Sequence, residues 1–164
     1  MEFKNIFSFD IKWNFKTISA FLFLLILPNL LGVVNFSTPF GFQIHSFQVA
    51  VFLAALIYGP SGGFLSGFVG SFYSALLTGN PYIIVGNAIL GFFVGLFARY
   101  GFNVALSVLL AYMIQLPWLL ITDFYLVHLP VPFLQGLIIA LLVSNMVWAI
   151  VASVAIKPVK KLLE

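Results

Sequence analysis

Apolar residues run through this chain in six long stretches: Thr17–Val34, Ile44–Tyr58, Ser61–Thr78, Tyr82–Ala98, Asn103–Ile121 and Phe133–Ile156. A helix needs about 20 apolar residues to cross about 30 Å of hydrocarbon, so each stretch is a candidate membrane span. Breakers separate them: Asn35 to Gly41 with Pro39, then Gly59-Pro60, Gly79-Asn80-Pro81, Tyr100-Gly101, and His128 to Pro132 with two prolines. The second stretch is short and suits a re-entrant or half-buried helix as well as a full span. Before the first stretch the pattern changes. Phe7, Phe9, Ile11, Trp13 and Phe15 alternate with Ser8, Asp10, Lys12, Asn14 and Lys16. Period two suggests an extended strand, but a lone strand cannot satisfy its backbone in lipid. Residues 1–16 are therefore expected to lie at the membrane interface or to form a partly ordered tail, and residues 17–164 to form one transmembrane domain.

Charge orients these elements. Between Lys16 and Lys157 the formally charged side chains are Arg99 and Asp123. A water-soluble domain could not cover its surface with so few charges, and 63% of the residues are hydrophobic. With six spans both termini share one side with Arg99, and all seven Lys and Arg lie there, as the positive-inside rule prefers. With five spans, Arg99 and the three C-terminal lysines would be exported. The expected fold is all-α, an integral bundle of six transmembrane helices with both termini cytoplasmic. No cleaved signal peptide is expected, because no Ala-x-Ala site follows the first apolar stretch. The chain contains no cysteine, which excludes disulfides and thiol chemistry.

Small residues mark packed faces. Gly63, Gly67, Ser71 and Ala75 recur every four positions, as do Asn87, Gly91 and Gly95. Such stripes let helix backbones approach closely, within the bundle or against another membrane protein. Pro28 and Pro117 fall inside the first and fifth spans, where kinks are expected.

Polar groups concentrate toward the outer mouth. Asn87, Gln115 and Asn145 lie within spans. Gln43, His45, Asn80, Tyr82, Trp118, Asp123, Tyr125, His128 and Gln135 belong to the outer loops or the helix ends beside them. This asymmetry suggests a polar, aromatic-lined pocket open to the outside. Each residue has a plainer alternative. The amides serve equally as interhelical glue, Tyr82, Trp118 and Tyr125 as an aromatic belt, and His45, His128 and Asp123 as solvated loop residues. The two histidines lack the spacing and third ligand of a zinc site. Gly59-Pro60-Ser61-Gly62 matches the G-x-S-G pattern of rhomboid intramembrane proteases, but both histidines belong to the opposite face from Ser61, so no general base is at hand. Phosphate loops, paired carboxylates and H-E-x-x-H are absent from the sequence. The chain is expected not to be an enzyme.

The stretch from His45 to Arg99 reads HSFQVAVFLAALIYGPSGGFLSGFVGSF, then NPY, then GNAILGFFVGLFAR. It resembles the substrate-binding S component of energy-coupling factor (ECF) vitamin transporters, in which a short second helix ends in a Gly-Pro or Gly-rich turn before a glycine-studded third helix. The resemblance implies capture of a vitamin or precursor at the outer face by the last three helices and the outer loops. Delivery would then go through a transmembrane T component driven by two cytoplasmic ATPases, without nucleic acid or a resident cofactor. Trp118 and Tyr125 would stack on a flat ring, Asn87, Gln115 and Gln135 would offer hydrogen bonds, and Asp123 would meet a positive or donor group, as in thiamine or a precursor. The family's Ala-x-x-x-Ala docking motif on the first helix is here only Ala20 followed by Leu24. The alternative from another class is a structural or assembly subunit of a membrane complex, without a ligand of its own.

The charge distribution yields a direct test. Reporters fused after Glu164 and in the loop near Pro130 are expected to localise oppositely, the first inside. An extracytoplasmic C-terminus would remove the six-span arrangement.

Overall fold

A computed structural model describes residues 6–9, 11–37 and 43–163 of the chain. The helices are α1 (Phe15–Leu31), α2 (Gln48–Val69), α3 (Phe72–Thr78), α4 (Tyr82–Arg99), α5 (Val104–Ile121) and α6 (Val131–Leu163). A π-helical turn, Thr122–Leu126, extends α5. Between α1 and α2 a small antiparallel ribbon pairs β1 (Asn35–Ser37) with β2 (Gln43–His45), Phe36 opposite Ile44. The helical bundle follows the hydropathy pattern. The ribbon is additional: the segment read as a breaker pairs its backbone with the residues before α2.

Local chemistry sets the boundaries. Asn14 caps α1, accepting from the Thr17 amide at 2.9 Å, while the Thr17 hydroxyl accepts from the Asn14 amide at 2.8 Å. Asn103 caps α5 by accepting from the Leu106 amide. The third apolar stretch is not one helix, because it breaks at Gly70-Ser71. Asn29 of α1 bridges that break, donating to the Val69 carbonyl at 2.8 Å and accepting from the Tyr73 amide at 2.9 Å. Helix α6 continues past Ile156 and through Pro158 to Leu163, so its last turns carry Lys157, Lys160 and Lys161.

Gly59 reverses the chain. Its φ of 76° and ψ of −163° lie where essentially only glycine is found, and Pro60 then begins a second arm of α2. The two arms fold back on each other. A methyl group at Gly63 would lie 2.8 Å from Ala55 Cβ, and one at Gly62 would lie 2.3 Å from Tyr58 Cβ. In a straight helix residues eight apart are about 12 Å apart along the axis. No residue of the first arm, Gln48 to Tyr58, is exposed.

The second arm runs antiparallel to α4 at backbone contact. A Cβ added at Gly63 would fall 2.1 Å from the Gly91 carbonyl oxygen. At Gly67 it would fall 2.2 Å from the Asn87 carbonyl oxygen, and at Gly95 2.6 Å from the Gly59 carbonyl carbon. Both small-residue stripes therefore meet inside the chain. Helix α1 lies beside the same arm in parallel. Ser66 donates to the Leu24 carbonyl, and Tyr58, at the end of the first arm, to the Thr17 carbonyl, each at 2.7 Å. Around Phe52, Leu90 and Val108 the core is closed by Tyr112, whose hydroxyl reaches the Ile138 carbonyl at 2.7 Å, and by Ala149 and Ala152 of α6.

The perimeter is apolar. Leu22, Phe23 and Ile26 on α1 and Val143, Ile150 and Val154 on α6 are exposed, whereas thirteen polar or charged residues are buried among the described residues. Among the described residues four helical segments, Gln48–Thr78, Tyr82–Arg99, Val104–Leu126 and Val131–Leu163, are long and apolar enough to cross a membrane, and the 17-residue α1 is shorter. This is the composition of a multi-pass membrane protein.

The glycine seam sets an expectation for stability. Gly91→Ala adds one methyl group against a backbone carbonyl that cannot rotate away. Its cost should reach or exceed the roughly 1–3 kcal/mol typical of overpacking, and Gly91→Leu should prevent folding. Thermal unfolding and yield in detergent measure this. Wild-type behaviour of both variants would contradict the contact.

Candidate functional site

At one end of the bundle, away from the Gly59 turn and Arg99, the helices splay around a cavity of about 480 Å³. Its apolar walls include Leu90 of α4, Leu119 of α5 and Leu137 and Leu141 of α6. Phe47, just before α2, and Val127 and Leu129, after the π-helical turn, also line it.

Eight of the residues expected at the site line it: His45, Asn80, Tyr82, Asn87, Gln115, Trp118, Asp123 and Asn145. Tyr125, His128 and Gln135 do not. They are exposed, Tyr125 by 65%, and stand outside the cavity. The π-helical turn accounts for this separation, since it directs Asp123 inward and Tyr125 outward from one short segment. His128 follows with a φ of 59°, in the left-handed region. Gln43 belongs to β2, and its side chain lies outside the described part of the structure. Sequence reasoning passed over Ser74, Thr78 and Thr122, which also line the cavity. Short hydroxyl side chains in apolar runs give no signal of their own. Only the break at Gly70 and the extra turn after α5 turn these residues inward.

The polar groups form small closed sets. Asn87 Nδ2 donates to Ser71 Oγ at 2.8 Å, and Ser71 Oγ donates to the Gly67 carbonyl at 2.6 Å. Gln115 Nε2 approaches Asn87 Oδ1 at 3.4 Å, a long bond. Trp118 Nε1 donates to the Tyr82 carbonyl at 3.0 Å, fixing the indole across α4. A methyl group at Gly86 would lie 3.3 Å from its Cδ1. Asn80 Nδ2 donates to Asp123 Oδ1 at 2.7 Å, and Asn80 Oδ1 accepts from the Tyr82 amide at 3.1 Å. This ties the start of α4 to the end of α5 at the cavity wall. On the far wall Ser144 Oγ lies 3.4 Å from Gln48 Oε1.

Two features bear on what could bind. Asn145 is 1% exposed, and its Oδ1 has no hydrogen-bond partner among the described residues. A buried acceptor left unpaired is costly, and a donor from a bound molecule would relieve it. The charge lining is also one-sided. Asp123 is the carboxylate, and no Lys or Arg lines the cavity among the described residues. Burial lowers the His45 imidazole below its ordinary value, so it is neutral near pH 7. Among the described residues no group of His, Cys, Asp and Glu is arranged to hold a metal ion.

No family model, curated protein or solved structure matches the chain.

The Asn80–Asp123 bond can be tested by itself. Asp123→Asn retains an acceptor for Asn80 and should cost under about 1 kcal/mol. Asp123→Leu leaves the buried Asn80 amide unpaired and should cost about 1–3 kcal/mol. Unfolding of both variants in detergent measures the difference, and an Asp123→Leu protein as stable as wild type would contradict the geometry.

Proposed function

We propose that this chain is the substrate-capture S subunit of an ECF-type importer in the plasma membrane. It would hold a vitamin or related small molecule in the cavity and deliver it through a T component driven by two ATPases. The observation that carries this reading is the cavity itself: about 480 Å³, mostly apolar, with a few converging polar groups, at one end of a bundle with apolar flanks. The family resemblance rests on the residues from His45 to Arg99.

In this reading the bundle crosses the membrane six times. Helix α1 at 17 residues spans about 26 Å. The two arms of α2, turned back at Gly59, are separate passes. The first arm is short, but it is enclosed by protein and need not meet hydrocarbon over its whole length. Both chain ends and Arg99 then face the cytoplasm and the cavity faces outward. The cargo is neutral or cationic, because an anion would meet Asp123 with no cation to offset it. Trp118 offers a ring face whose orientation is already fixed, Gln115 is held by one long bond and is available to turn to a ligand, and Asn145 accepts from a ligand donor.

The mutual bonding of Asn87, Ser71 and Gln115 favours a second reading, a ligand-free structural subunit in which these amides only hold helices together.

Mass spectrometry of small molecules released from the purified protein separates the two. A neutral or cationic heterocycle is expected, retained by wild type. Gln115→Leu should weaken it at least about fivefold, the equivalent of one lost hydrogen bond, whereas Arg99→Gln should bind as wild type does. Release of no small molecule, or of an anionic one, would count against the transport reading.

A further inference from the structure

The opposite end of the bundle carries a second space that the capture reading does not use. It is a cleft of about 1140 Å³ between the described part of the segment before α1, the ends of α4 and α6, and Ala55 to Ile57 of the first arm of α2. Three cations from distant parts of the chain line it: Lys12, Arg99 and Lys160. No carboxylate lines it among the described residues. Asp10 and Glu164 lie outside the described residues. Over the whole chain, seven basic residues still face four acidic ones, of which Asp123 is at the other end.

Lys12 and Lys160 are exposed side chains that line the cleft, and Arg99 is fixed in place beside them. Arg99 is clamped to the strap before α1, donating to the Ser8 carbonyl at 2.5 Å and the Ile6 carbonyl at 3.2 Å. Ser61 holds the same strap through the Phe7 carbonyl at 2.7 Å. Lys160 shares one face of α6 with Ile156 and Leu163, all three turned to the cleft, so α6 enters it well beyond its apolar run. Directly beside the cleft is a groove of about 520 Å³ that is almost wholly apolar, walled by Phe7, Phe64, Phe92 and Phe93. Phe9 lines both spaces.

A cationic cleft that adjoins an aromatic groove, on a bundle with apolar flanks, matches one kind of occupant. We propose that this end binds an anionic phospholipid, its headgroup phosphate among Lys12, Arg99 and Lys160 and an acyl chain in the phenylalanine groove. Each basic side chain near an anionic lipid surface contributes a modest attraction, and three converging on one cleft make that attraction local. The groove decides for a lipid over a free phosphate, which would have no use for five phenylalanine side chains. The site stands whichever function the cavity at the other end has.

Native mass spectrometry of the full chain tests this, with phosphatidylglycerol, phosphatidylcholine of the same chain length and inorganic phosphate as probes. Lys12→Gln/Lys160→Gln should bind phosphatidylglycerol about twenty-fivefold more weakly, each lysine contributing about fivefold. Lys157→Gln/Lys161→Gln removes the same charge outside the cleft and should stay near wild type. If the first double variant fails to fold, Lys160→Gln alone should show the fivefold loss. Equal loss in both double variants would reduce the effect to diffuse surface charge and overturn the site. So would inorganic phosphate that binds as tightly as the lipid and displaces it.

Discussion

The bundle depends on one contact, the backbone-to-backbone packing of the second arm of α2 on α4. Lipid offers no hydrophobic drive for helices to associate, so attraction must come from close packing and hydrogen bonds. Gly63, Gly67, Gly91 and Gly95 bring two backbones together with no side chain between them. Everything else is referred to this seam. It fixes where Asn87 emerges, and so where Gln115 is met. Through the Gly59 turn it also buries the first arm of α2 at the centre, with Phe52 and Ala55 against Leu90 and Val94.

The two ends differ in how their polar groups are used. At the Gly59 end, side chains hold backbone carbonyls: Arg99 and Ser61 on the strap, Tyr58 on Thr17. These bonds fasten elements together. At the cavity end, amides and one carboxylate pair across the space with long or single bonds, and Asn145 has an oxygen with no partner among the described residues. Spare hydrogen-bonding capacity around an apolar void suits a small-molecule site, whereas the bonds at the Gly59 end fix the strap that helps to wall the cationic cleft.

Much of this was legible in the sequence, for identifiable reasons. The stripes at Gly63/Gly67 and Gly91/Gly95 announced a packed seam, because a four-residue spacing puts small residues on one helix face. Gly59-Pro60 announced the turn, because proline disfavours helical backbone at the residue before it and glycine accepts the positive φ found there. The clustering of Asn80, Asn87, Gln115 and Asp123 followed from placing polar groups by depth. Other features were hidden. The ribbon at Asn35–Ser37 and Gln43–His45 has no strong alternation. The π-helical turn that separates Asp123 from Tyr125 has no sequence signature, so both residues were assigned to one site. The bridging of the Gly70 break by Asn29 joins residues forty positions apart, which no local pattern can reveal.

The central claim is that the cavity opens to the outside and holds a small molecule. The chain has no cysteine, so one can be introduced at Thr78, which lines the cavity and is exposed. Labelling of Thr78→Cys in intact cells with a membrane-impermeant maleimide is the most direct measurement. The account predicts labelling without permeabilisation and protection by the molecule that co-purifies. Labelling only after the membrane is opened would contradict it.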